Sequence, residues 1–226
     1  MVSPHAGDWL HAPPLIEVGL ILSDEAIRVA AGIRIGTNLC QPHTCICEAT
    51  VDARGLHGLA CRKSTPRHIH HSQLNDIIWR VVKKAQIPAS KEPIDLLRHD
   101  GKRPDGAILV PWTRRRPLAW DVTVPDTFAA SHIQFTSSSA CATADKAAAN
   151  KTAKYVELTS THLFVPIAVE TSGARSPQST EFIEKHGRRI STITNQPLKT
   201  KYLFQRLSTT LQRGNAVAFR NTFSET

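Results

Sequence analysis

Two aspartates, Asp105 and Asp121, have the residue type and spacing best suited to chemistry in this chain. They lie in Lys102-Arg103-Pro104-Asp105-Gly106 and in Trp120-Asp121-Val122-Thr123-Val124, on either side of a break from Pro111 to Pro117. Apolar runs, Ala107 to Val110 and Leu118 to Trp120, flank the break. If these runs form one antiparallel hairpin centred on Thr113, residue 105 stands directly opposite residue 121. Cross-strand neighbours hold their Cβ atoms roughly 5 Å apart on one face. Two carboxylates so placed repel unless a cation lies between them, and a hard divalent ion with oxygen ligands fits that gap. The arrangement suits metal-dependent phosphodiester cleavage.

A second group of residues points to a different metal. Four of the five cysteines, Cys40, Cys45, Cys47 and Cys61, fall within 22 positions, with His43 and His57 among them. Met1 to Pro14 has no basic segment followed by an apolar one, so no secretory signal is expected. Clustered cysteines without export read as a zinc site rather than a disulfide frame. Cys141 stands apart in an Ala/Ser/Thr-rich stretch and reads as a small buried residue or a bystander.

The elements that must position these residues follow from periodicity. A helix is expected near Ser23 to Arg34, capped by Ser23, with Ala26, Ile27, Ala30 and Ile33 on one face. Cys40 to Cys61 is polar and poor in core residues, as a metal-pinned knuckle would be. Lys63, Ser64 and Pro66 mark a boundary over Arg62 to Arg67. Ser72 to Gln86 reads as an amphipathic helix with Leu74, Ile77, Ile78, Val81 and Val82 as its stripe, ended by Pro88.

Three strands are expected next: Glu92 to Leu97, Asp105 to Val110 and Leu118 to Val124. In the third, Trp120, Val122 and Val124 face one side, and Ala119, Asp121 and Thr123 the other. A helix over Thr143 to Leu158, a strand over Leu163 to Glu170, and helices over Ser179 to Ile193 and Lys201 to Val217 complete the order. The class is mixed α/β, a central sheet covered by helices.

The chain has 226 residues and a net charge of +9 at pH 7. That length suits one ordinary core plus a small satellite module. The basic balance favours a polyanionic partner such as DNA. No apolar stretch reaches the roughly 18 residues of a membrane helix, so no membrane association is expected.

The order and spacing of these motifs resemble the PD-(D/E)XK restriction-endonuclease-like nucleases. The closer likeness is to the endonuclease domain C-terminal to the reverse transcriptase of site-specific non-LTR retrotransposons. The matching stretches are Cys45-Ile46-Cys47 with His57 and Cys61, then Arg103-Pro104-Asp105, then Asp121, then Lys151-Thr152-Ala153-Lys154-Tyr155. They cover roughly Leu39 to Glu170.

The resemblance implies a restriction-endonuclease-like core, a mixed four-stranded sheet flanked by helices, behind a small N-terminal zinc knuckle. It implies Asp105 and Asp121 as ligands of Mg2+ or Mn2+, and Cys45, Cys47, His57 and Cys61 as ligands of Zn2+. One residue between Cys45 and Cys47 is a tight spacing, which leaves Cys40 and His43 as substitutes. The superfamily usually places a lysine two positions after the second acid, where this chain has Thr123. In the retrotransposon branch the following helix supplies that function, which assigns it to Lys151 and Lys154. Glu92 and Glu170 are candidate accessory acids, and Arg114, Arg115 and Arg116 a candidate phosphate-holding run.

The domains expected are a polymerase-side linker over 1–38, the zinc knuckle over 39–64 and the nuclease domain over 65–226. The function implied is a DNA endonuclease domain of a retrotransposon polyprotein, nicking target DNA to prime reverse transcription. Its partners would be DNA, an RNA template and a reverse-transcriptase portion, in the nucleus or cytoplasm. No Tyr/Phe-x-Asp-Asp polymerase signature occurs, so the polymerase is expected to lie outside the chain. The rival readings are a decayed relic of such a nuclease, a non-catalytic zinc-dependent nucleic-acid-binding module, and an RNA-processing nuclease.

Overall fold

The structure, a computed structural model, describes residues 3–61, 63, 66–113 and 115–223. Arg62 and Ser64, at the expected boundary, and Arg114 of the arginine run lie outside the described residues.

A four-stranded sheet forms the centre, in the order β3 (Ala89–Lys91), β4 (Gly106–Ile108), β5 (Leu118–Thr123) and β6 (Leu163–Ala168). β3 and β4 are antiparallel, as are β4 and β5, whereas β5 and β6 are parallel. A parallel pair needs a long crossover. Here the crossover contains α4 (Ala130–Thr136) and α5 (Ala142–Lys154).

Helices cover both faces of β5, so five of its six residues are buried. On one face Trp120 and Val122 enter the main core. There they join Leu74, Ile78 and Val82 of α3 (Pro66–Lys84), Phe182 and Ile183 of α6 (Pro177–Thr194), and Leu207 and Leu211 of α7 (Lys199–Arg220). On the other face Ala144 and Ala148 of α5 pack on Ala168 of β6. Small side chains there let the helix lie close to the sheet.

Local chemistry sets the helix ends. Ser23 Oγ accepts from the N–H of Ala26 to open α1 (Asp24–Ile35), and Gly36, at φ 74°, closes it in the left-handed conformation. Ser176 caps α6, with Pro177 at its first position. The apolar face of α1, Ala26, Val29 and Ile33, packs against Ala216, Ala218 and Phe219 of α7 and against Leu59.

Two expectations, one of a strand and one of a helix end, change. The strand expected over Glu92 to Leu97 is instead a strand at Ala89–Lys91 followed by a 3-10 turn over Ile94–Leu96. Glu92 takes φ 49°, which ends the extended run, and Pro93 has no N–H to donate to a ladder. Ile94 is left 77% exposed, so its apolar character did not signal burial. The helix expected to reach Leu158 ends at Lys154, and Val156–Ser160 continues as a 3-10 turn. α4 and the small hairpin described below were not expected.

Candidate metal centres

The pairing of Gly106 with Trp120, and of Ala107 with Ala119, sets Asp105 one step further along, against Asp121. This is the register a hairpin centred on Thr113 requires. The tip is less regular: Thr113 bridges Arg116, and Arg115 sits at φ 61°. Gly106 lets β4 and β5 approach closely at this point. A Cβ there would meet Trp120 Cζ2 at 2.1 Å.

Asp105 is fixed through both its backbone and its side chain. Its carbonyl accepts from Glu92 N at 3.0 Å and from Asn75 Nδ2 at 3.4 Å. Asn75 Oδ1 in turn accepts from the indole N–H of Trp120 at 3.1 Å. The carboxylate Oδ2 accepts from Val122 N at 2.6 Å and lies 2.9 Å from His71 Nε2. Lys151, on α5, brings Nζ to 2.5 Å from Asp121 Oδ1.

One ligand atom from each of His71, Asp105 and Asp121 lies within 4.8 Å of the others. Oxygens sharing one octahedral ion at about 2.1 Å are about 3 Å apart in cis and about 4 Å in trans. A spacing of up to 4.8 Å therefore closes by up to about 2 Å, shared between the two side chains, for a cis pair to hold one ion. Asp105 and Asp121 are 9% and 3% exposed, so their mutual repulsion is poorly screened by water. The Lys151 ammonium offsets it, and His71 hydrogen-bonds to Asp105. The hydrogen bond to Asp105 raises the His71 pKa above its usual value, against the opposing effect of burial.

His71 was not found from sequence, because the helix was read as starting at Ser72 while α3 starts at Pro66. The signal was present: His71 and Asn75 stand four apart, at the head of the stripe that runs on through Ile78 and Val82.

Lys154 sits differently from Lys151. Its ammonium donates to Tyr155 Oη at 3.1 Å and lies over that ring, 4.6 Å from the centroid. Burial lowers its pKa, and the nearby Lys151 charge adds to the effect. Tyr155 is fully buried and donates to Arg103 O at 2.8 Å, tying the end of α5 to the segment that leads into Asp105. Burial pushes the Tyr155 phenol up, and the negative charges of Asp121 and Asp105 push it the same way.

The accessory acids lie elsewhere. Glu92 pairs with Arg103. Glu170 caps α5: its Oε1 accepts from Thr143 N at 3.1 Å and Ala144 N at 3.0 Å, and its Oε2 accepts from Thr127 Oγ1. A carboxylate at a helix N-terminus satisfies donors the helix leaves open and complements its dipole.

The second centre lies on a two-stranded hairpin, β1 (His43–Thr44) and β2 (Thr50–Val51), with a one-turn helix, α2 (His57–Ala60). Cys45 and Cys47 occupy the hairpin turn, where Glu48 adopts φ 72°. His57 opens α2 and Cys61 follows it, four residues apart, which puts both on one side. Cys45, Cys47, His57 and Cys61 bring one ligand atom each within 4.8 Å of the others. Tetrahedral zinc with Zn–S of about 2.3 Å sets sulfurs about 3.8 Å apart. Cys45 Sγ and Cys61 Sγ are 3.8 Å apart, and Cys47 Sγ is 3.1 Å from His57 Nε2. This cluster could hold a metal such as zinc.

A hydrogen bond from the Ala49 backbone lowers the Cys47 pKa, whereas burial raises that of Cys61. The tight Cys-x-Cys spacing is accommodated by the turn. Cys40 instead directs its sulfur at the Asp52 and Ala53 carbonyls. His43 bonds Gln41 O and Thr222 Oγ1 and stacks on Phe223.

Neither a scan against protein-family models nor a search of curated proteins finds a match for this chain. Among the described residues no helix is long and apolar enough to cross a membrane.

Proposed function

We propose that this chain is a divalent-metal-dependent DNA endonuclease domain with a restriction-endonuclease-like core, in which Asp105 and Asp121 hold Mg2+ or Mn2+. The observation that carries the reading is the convergence of Asp105, Asp121 and Lys151, two buried acids and a helix-borne ammonium, at one place on the sheet. The sequence of elements supports it: a Cys/His knuckle, a helix, the acid-bearing strands, then the lysine helix. By resemblance, the domain belongs to a retrotransposon polyprotein and nicks target DNA to leave a primer for reverse transcription.

The residues fit the ion. Two carboxylates supply hard oxygen donors, and His71 stands third. A divalent ion supplies positive charge at the scissile phosphate and at oxygens that gain charge as the bond breaks. The protein supplies position. Asn75 and Glu92 N hold the Asp105 carbonyl and Val122 N holds its carboxylate, so the acid is already placed when substrate arrives.

In the reaction a water oxygen bonds to phosphorus while the bond from phosphorus to O3′ breaks. The water loses a proton, the 3′ oxygen gains one, and the products are a 3′-hydroxyl and a 5′-phosphate. Lys151 orients the attacking water and offsets charge on the phosphoryl oxygens. Lys154, held by Tyr155, adds positive potential beside it.

The test is incubation of supercoiled plasmid with the protein and Mg2+ or Mn2+, alongside Asp105→Ala and Asp121→Ala. Nicking by the parent that disappears in both variants supports the proposal. Retention of plasmid without nicking by the parent favours a zinc-dependent binding module instead.

A further inference from the structure

A cavity of about 220 Å³ opens between α3 and α7, lined by Gln73, Asp76 and Arg80 of the first helix, Arg206, Thr210 and Arg213 of the second, and Gly19. Arg206 and Arg213 are seven residues apart, two helical turns, so they project from the same side of α7. Arg80 meets them from α3. Three guanidinium groups therefore converge on one concave surface.

Their charges are matched only in part: Arg80 pairs with Asp76, while Arg206 and Arg213 have no carboxylate partner among the described residues. The one carboxylate in the lining, Asp76, is ion-paired with Lys91 and stands 3.9 Å from Arg80. Arg213 uses its guanidinium to hold the Gly19 and Ile21 carbonyls, which fixes its place without neutralising it. Arg206 makes no hydrogen bond or ion pair among the described residues, although it is half-buried. Burial and the Arg80 charge lower the pKa of Arg206, and burial and Arg206 do the same to Arg213. Like charges held together in a partly desolvated pocket are a cost that a bound dianion removes. A planar guanidinium with two parallel N–H donors matches the oxygens of a phosphate.

We propose that Arg80, Arg206 and Arg213 form a phosphate-binding pocket, separate from the acid pair. His71 and Asn75 project from the side of α3 that meets the sheet, whereas Gln73 and Arg80 project from roughly the opposite side. The shared ligand chemistry is a phosphate group, from a nucleic-acid backbone or from a free phosphate or pyrophosphate.

Two measurements on the full chain, without added Mg2+, test this and separate the sources. The first is thermal unfolding in sodium phosphate or pyrophosphate at constant ionic strength. The second is fluorescence anisotropy of a labelled 20-base-pair duplex across a salt series. The variants are Arg206→Gln and the exposed Arg80→Gln, with Arg188→Gln on α6 as control. If the pocket takes phosphate, pyrophosphate raises the unfolding midpoint of parent and control but not of Arg206→Gln.

If the phosphate belongs to a nucleic acid, Arg206→Gln and Arg80→Gln each weaken duplex binding about three- to tenfold, whatever the sequence. Each also lowers the salt slope by about 1. A response to pyrophosphate with unchanged duplex binding assigns the pocket to free phosphate. Equal behaviour of Arg206→Gln and Arg188→Gln in both measurements overturns the proposal. Because neither readout requires cleavage, this failure is distinct from a failure of the nicking test.

Discussion

Asp105 and Asp121 face each other across β4 and β5, one residue beyond the Gly106–Trp120 pair, and ligand atoms of the two carboxylates lie within 4.8 Å. The missing side chain at Gly106 matters to this relationship as much as the acids do. It leaves room for the Trp120 ring, which is itself anchored to Asn75.

Gly106→Ala is therefore expected to disturb both stability and site. The new methyl group would sit 2.1 to 2.5 Å from the indole, and Trp120 is fully buried, so neither side can move freely. Overpacking of this kind costs about 1–3 kcal/mol. Chemical denaturation should show a lower midpoint, and plasmid nicking should fall by more than the folded fraction does. A variant with parental stability and activity contradicts this.

Lys151→Met separates binding from chemistry. The ammonium and a divalent ion compete for the charge of Asp121, so its removal should leave Mn2+ affinity unchanged or tighter. On the proposed nuclease reading, cleavage should nevertheless drop about 100-fold or more, because Lys151 would be aimed at the charge of the transition state. Equal loss of metal affinity and cleavage would show that Lys151 acts only by holding Asp121 in place.

The Cys/His cluster predicts one zinc per chain in freshly purified protein. The segment around it, 40–61, has a small core of Cys45, Val51 and Cys61, so ligand bonds should supply much of its folding energy. Cys61→Ser or a strong chelator should lower the unfolding midpoint and increase proteolysis in this segment. Metal analysis finding no zinc removes this part of the account.

Stability should fall as pH drops below about 6.5. Burial depresses the His70 and His186 pKa values to about 4, from an unfolded value near 6.5. Between these limits the unfolded chain binds more protons than the folded one, so stability rises with pH and is fully present above the unfolded value. Each histidine contributes roughly 2–4 kcal/mol across the window. Denaturation midpoints measured at pH 7.5, 6 and 4.5 should decline in that order. His186→Gln should flatten the decline.

The sheet register was legible in the sequence because Pro111 and Pro117 bound the turn and the alternation around Trp120 gave the strand its phase. The long helices were legible from their stripes. The β3 strand was not, because Ile94 and Leu97 imitate a buried strand yet stay exposed. His71 was missed because the helix was started at Ser72, one residue after it, although His71 heads the same stripe. Nor could sequence reveal that Glu170 caps α5, since that depends on how α5 and β6 come together in three dimensions.

The central claim is tested most directly by counting bound Mn2+ with electron paramagnetic resonance, on zinc-loaded protein, for the parent, Asp105→Asn and Asp121→Asn. The account predicts one Mn2+ per parent chain beyond the zinc, with affinity reduced at least tenfold in each variant. Binding that is absent from the parent, or unchanged when either aspartate is replaced, contradicts it.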